Sequence, residues 1–218
     1  MPFSGTPRVL KGGIALVNPQ TSKIERFIPL QYNPDSLTRS FQVRSVGGEG
    51  SNQSDVLRLT GPPVETYKIE AEVDGTDQLE FAKSGDPIIE SGIQPILAAL
   101  EVLIYPATAS LKNNDSLAKM GILEIVPVES LLTLFIWSKQ RIVPVRITEL
   151  NITEEAFDVH LNPIRAKVSL GMRVLSVDDL GFSHLGGSVY LNYQQNKEKW
   201  AKQFRSGSLT DFGINSIL

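Results

Sequence analysis

Val64–Asp74 reads VETYKIEAEVD, and its period of two decides the fold class. Tyr67, Ile69, Ala71 and Val73 point one way, and Lys68, Glu70, Glu72 and Asp74 point the other. Successive side chains alternate across a strand, so this stretch is a strand with one face on a core and an acidic face in water. Residues 165–174 repeat the pattern with the opposite charge. Ala166, Val168, Leu170, Met172 and Val174 face inward, while Arg165, Lys167, Ser169, Gly171 and Arg173 face out. Half-buried strands of this kind predict a mainly β, antiparallel domain.

Working outward, residues 9–17 and 24–32 are apolar runs around the polar turn 18–23 and read as a β-hairpin. Asn33-Pro34 ends it, because the residue before proline is pushed out of the α region. Residues 37–44 alternate as a third strand. The run 131–137 suits a strand covered on both faces, and Lys139-Gln140 turns the chain into a strand over 141–152. Pro144 inside that strand predicts an edge position or a bulge. A helix is expected over 94–105, with Pro95 in its first turn, where the missing N–H costs nothing. Ile93, Leu97, Leu100 and Ile104 form one stripe, and so few polar residues interrupt it that the helix reads as buried nearly all round. A surface helix is expected over 111–120. An amphipathic helix over 185–204 carries Leu185, Val189, Tyr193, Trp200 and Phe204 on one stripe. The expected fold is a single α+β, mainly β domain over residues 1–218: two sheets or a small antiparallel barrel, one buried helix and a C-terminal amphipathic helix.

Composition narrows the chemistry. The chain has 218 residues, a net charge of -3 and no cysteine, which excludes disulfides and thiolate metal sites. A slightly acidic balance gives no footprint for nucleic acid. No apolar run approaches the ~18 residues of a bilayer span, and the first residues lack the pattern of a secretory signal. The expectation is therefore a cytoplasmic, soluble chain that does not insert into membranes. Two histidines are present, His160 and His184, without a second histidine at ligand spacing, and both read as polar turn residues. Gly47, Gly48 and Gly50 are not followed by the Gly-Lys-Ser/Thr of a phosphate loop. No GxSxG nucleophile elbow occurs. Asp74, Asp77, Glu80 and Asp86 lack EF-hand spacing, and Glu154, Glu155 and Asp158 form an acidic cluster read as a loop between strands. No enzyme activity, cofactor or metal is expected.

Strands with one apolar and one charged face leave sheet edges that need a partner. A closed ring of identical subunits removes them, and the charged faces would then line a water-filled channel or meet rings above and below. A lone barrel with wet outer faces fits the same pattern.

Several motifs run through the chain: QYNP (31–34), GPPVET (61–66), DGTDQLE (74–80), GIQPILAALEVLIYP (92–106), VPVRIT (143–148), ITEEAF (152–157) and LNPIRAKVSL (161–170). In this order and spacing they resemble the tube-type baseplate proteins of contractile injection systems, in particular the N-terminal domain of the spike-to-tube adapter or tube initiator. The resemblance spans residues 8–199. It implies a phage tail-tube-like β-barrel flanked by helices and a homo-oligomer, a hexameric ring with a lumen. Its implied partners are the trimeric spike, an inner-tube or second tube-initiator protein and other baseplate components, with no catalysis. The protein would assemble into a particle in the cytoplasm. Longer members carry a C-terminal LysM-like module, which is expected to be missing here, together with its baseplate contacts and any peptidoglycan binding.

Interface candidates are the Gly/Ser-rich loop 45–55 (Ser45, Gly47, Gly48, Glu49, Ser51, Asn52, Asp55), the segment 154–162 (Glu154, Glu155, Asp158, His160) and the apolar tail (Ile214, Ile217, Leu218). The competing readings are an inner-tube or tail-terminator subunit, a monomeric ligand-binding β-barrel, and a cell-wall hydrolase working through Glu154 or Glu155.

Overall fold

The computed structural model describes residues 10–45, 58–83, 85–121, 130–207, 211 and 213. Seven strands form one antiparallel sheet: β1 (Gly13–Val17), β2 (Ile24–Pro29), β3 (Leu37–Gln42), β4 (Val64–Asp74), β5 (Leu132–Ser138), β6 (Arg141–Phe157) and β7 (Pro163–Val174). Their spatial order is β2-β1-β5-β6-β7-β4-β3. The helices are α1 (Thr76–Glu80), α2 (Pro87–Ser91), α3 (Gln94–Glu101), α4 (Thr108–Lys119), α5 (Val177–Leu180) and α6 (Leu185–Gln203).

The two alternating stretches are neighbours. β4 and β7 pair from Thr66↔Arg173 to Asp74↔Arg165, which sets Glu72 opposite Lys167 and Asp74 opposite Arg165. Directly opposed residues share a face, so the acidic and basic wet faces are one surface. Arg165 Nε lies 3.6 Å from Asp74 Oδ2. The two charge sets answer each other within the subunit, where the sequence left them to face a channel or neighbouring rings.

β6 carries the chain from one half of the sheet to the other. Arg141 to Pro144 pair with β5, and Val145 onward pairs with β7. The expectation that Pro144 marks an edge strand is corrected, because β6 is central. Proline is tolerated there because it sits where one ladder ends and the next begins, and its carbonyl accepts from Leu175 N at 2.9 Å. β6 also runs on to Phe157, so Glu154 and Glu155 lie on a strand and not in a loop.

The inner residues of β4 and β7 pack with Phe135, Val143, Val145, α3 and α6 into the main core, where Ile93, Leu97, Leu100, Tyr190 and Tyr193 are buried. A smaller cluster of Ala15, Val17, Leu132 and Leu134 meets Leu185 and Val189 of α6. Phe135 and Leu134 thus serve different clusters, as expected for a β5 covered on both faces. The first helix is shorter than its apolar run suggests. α3 ends at Glu101, and Val102, Ile104 and Tyr105 are exposed. A single stripe reaches the sheet, and the rest of the run projects beyond it. Gly92 takes φ 56, and a Cβ there would stand 2.1 Å from Pro163 O, so only glycine lets this turn close on the start of β7. α6 follows its expected course, except that Phe204 is exposed.

The expected barrel is not closed. β2 and β3 are the two ends of the sheet and do not pair with each other.

Candidate assembly surfaces

The opening between the two ends is bridged by a side chain. Asp74 N donates to Gln31 Oε1 at 2.8 Å, and Gln31 Nε2 donates to Asp74 O. A glutamine amide carries the same donor and acceptor as a peptide group, so Gln31 acts as one residue of a missing strand. Asn33 does the same for the hairpin. Gly12 N donates to its Oδ1 at 3.0 Å and its Nδ2 donates to Leu10 O at 2.8 Å. The QYNP motif is thus a pair of backbone mimics. Asp74 is fixed in turn by the Thr76 hydroxyl and, at 2.8 Å, the Thr76 amide. The Thr76 hydroxyl is the main cause holding the Asp74 carboxyl below its ordinary range.

β3 pairs only with the first half of β4, from Gln42↔Val64 to Leu37↔Ile69. Beyond Ile69 that side of β4 faces a groove of about 430 Å³, bounded by β2, α3 and β7. Its floor includes Ile28, Leu30, Ile69 and Val168, and Lys11, Arg26 and Glu72 also line it.

The turn between β6 and β7 is ordered by Asp158. Its carboxylate accepts from His160 N at 2.7 Å, Asn162 N at 2.8 Å and Asn162 Nδ2 at 2.9 Å. The Asn162 side chain is the leading cause that holds the Asp158 carboxyl below its ordinary range. Leu161 has φ 65, a left-handed conformation that a branched residue rarely adopts. Val159 is 93% and Leu161 79% exposed. The turn is anchored to the helices by Asn162 Nδ2 donating to Glu90 O at 3.2 Å and Ile93 N donating to Pro163 O at 2.9 Å. Glu155 pairs with Lys167 at 2.8 Å. The structure therefore brings Asp158 and His160 together in one turn, sets Glu155 on the strand in an ion pair and leaves Glu154 exposed. The apolar residues between them, Val159 and Leu161, were absent from the sequence candidates. Two exposed aliphatic residues in a five-residue polar turn were the available signal.

A second feature the sequence reading missed lies between β4 and α6. Glu65 is 2% exposed. Its Oε1 accepts from Tyr193 Oη at 2.7 Å and its Oε2 accepts from Lys197 Nζ at 2.7 Å. Tyr193 and Tyr67 hydroxyls are 2.6 Å apart. Since Tyr193 gives its proton to Glu65, Tyr67 is the donor to Tyr193. Arg39 stands 4.0 Å from Glu65, and Lys197 lies 4.1 Å above the Tyr193 ring. Burial, and then the hydrogen bonds to Tyr67 and Glu65, raise the Tyr193 hydroxyl well above its ordinary range. Both carboxylate oxygens are engaged within the cluster, which makes it a clamp holding α6 to the sheet.

Ser45 forms an isolated bridge with Leu59. Gly47, Gly48, Glu49, Ser51, Asn52 and Asp55 of the expected loop, and Ile214, Ile217 and Leu218 of the tail, lie outside the described residues. Among the described residues no group of three or more His, Asp or Glu is placed to hold a metal ion, and no helix is long and apolar enough to cross a membrane.

No family model matches the chain, and no curated protein matches it. One solved structure, described as the tail of an empty GTA particle computed with helical refinement in C6 symmetry, is similar to it. That similarity has 15% identity, covers 75% of this chain and 90% of that chain, and has a TM-score of 0.28.

Proposed function

We propose that this chain is a structural subunit of a phage-tail-like contractile injection particle. In this reading it forms a ring, hexameric by the family resemblance, that joins the central spike to the inner tube and starts tube polymerisation. It performs no catalytic step and needs no cofactor.

The observation that carries this reading is the open sheet. Monomeric proteins blunt exposed edges with charge, proline or a covering element. Here the outer strand β2 exposes Ile24 and Phe27, and β3 with the residue that follows it exposes Phe41 and Val43. Both ends of one sheet thus offer apolar side chains beside unpaired backbone, which suits a neighbour at each end. The motif order adds the position in the particle, between spike and tube.

Cross-linking mass spectrometry on purified particles, with a density map of the same sample, tests it. Links from this chain to both the spike and an inner-tube protein, with a single ring at their junction, are expected. Links only along the tube in many copies would make it a tube subunit, and absence from particles would remove the assembly role.

A further inference from the structure

The β6–β7 turn and the groove beside α3 complement each other in shape and charge. We propose that the turn of one copy docks in the groove of a second copy, with Val159 and Leu161 on the apolar floor of Ile28, Leu30, Ile69 and Val168. This deepens the ring reading above and rests on it.

Three observations meet here. First, the turn is rigid and apolar at its tip. Asp158 fixes it with three hydrogen bonds, and a leucine occupies a left-handed position that glycine or asparagine would fill more easily. Such strained conformations cluster where a structure serves something beyond its own stability. Second, the groove offers an apolar floor of aliphatic size beside the half of β4 that β3 leaves unpaired. Third, the signs match. Glu154 and Asp158 flank the apolar tip, and Lys11 and Arg26 line the groove. Val159 and Leu161 are solvent-exposed, so the turn does not fill its own groove. Every copy carries both halves of the contact on different surfaces. A contact of this kind is heterologous and repeats head to tail until it closes.

The chain has no cysteine, which permits a clean test on the full-length protein. Val159→Cys and Ala99→Cys are made separately, mixed and mildly oxidised. A disulfide needs Cβ atoms within about 4.5 Å, so only a docked pair forms it. The expected result is a mixed dimer that neither variant gives with wild type. In parallel, Val159→Asp is expected to weaken self-association roughly tenfold or more in sedimentation with an unchanged melting curve. Arg26→Glu is expected to do the same and to be partly rescued by Glu154→Arg. If wild type self-associates but no mixed disulfide forms, the docking is wrong and the ring reading stands. If wild type is monomeric at every concentration and absent from particles, both fall. If native mass spectrometry finds a small apolar molecule in the chain, held equally by Val159→Asp, the groove is a ligand site and the docking is overturned.

Discussion

Tyr193 and Glu65 show how much can depend on two side chains inside an otherwise apolar core. A buried carboxylate is tolerated only when its oxygens are satisfied, and here a tyrosine and a lysine satisfy them. Glu65→Ala strands Lys197 and both tyrosines and is expected to cost about 3 kcal/mol in urea unfolding. Tyr193→Phe removes the central hydroxyl and is expected to cost about 1–2 kcal/mol. The pH dependence has a definite sign. Tyr67 and Tyr193 are both raised above the ordinary tyrosine value of 10.0, burial being the largest cause. The folded chain keeps protons that the unfolded chain releases, so the stabilisation is complete below about pH 10 and declines as pH rises past it. Melting temperatures from pH 8 to 11 should fall for wild type and fall less for Tyr193→Phe. The clamp was partly legible: Glu65 has the same strand parity as Tyr67 and Ile69, and an ionisable residue on an apolar parity signals a buried partner. Its partners were not legible, because Tyr193 and Lys197 lie far along the chain and only the packing of α6 brings them near. Leu161 gives a contrasting case. Leu161→Gly relieves its left-handed backbone and should raise stability by about 1 kcal/mol in urea unfolding. If the turn docks as proposed, the same change weakens self-association.

At the scale of elements, β4 and β7 were readable because strand alternation is a local signal. Their pairing with each other was not, since period says which face a residue takes but not which strand lies beside it. The proline in β6 misled for a related reason. A missing N–H excludes a ladder bond at one residue, and a strand that changes partners has a residue where none is needed. Residues 94–105 failed differently. An apolar run marks what a helix may bury, while the width of the sheet beneath sets what it does bury, and Val102, Ile104 and Tyr105 overhang it. The turn into α3 gives a sharp test. Gly92→Ala adds a methyl against the Pro163 carbonyl at a positive φ and should cost about 3 kcal/mol in thermal unfolding. Ala98→Gly, on the exposed side of the same helix, should cost about 1 kcal/mol.

For the whole molecule, the open sheet separates stability from assembly. Ile24 and Val43 are exposed at opposite ends of the strand order. Replacing both with lysine should leave the monomer within about 0.5 kcal/mol of wild type, yet abolish higher-order species in sedimentation if the edges meet neighbours. A drop in monomer stability instead would mean that these side chains serve the fold. β6 adds a mechanical consequence. It is hydrogen-bonded to β5 at one end and to β7 at the other, so tension applied along its axis loads many ladder bonds in shear at once. Force applied across it would open them one at a time. Stretched between Arg141 and Phe157 in a force spectrometer, the domain should yield at a distinctly higher force than when pulled through β2, whose ladder can peel from the edge inward. A subunit seated between a driven spike and a tube would bear its load best along that one strand.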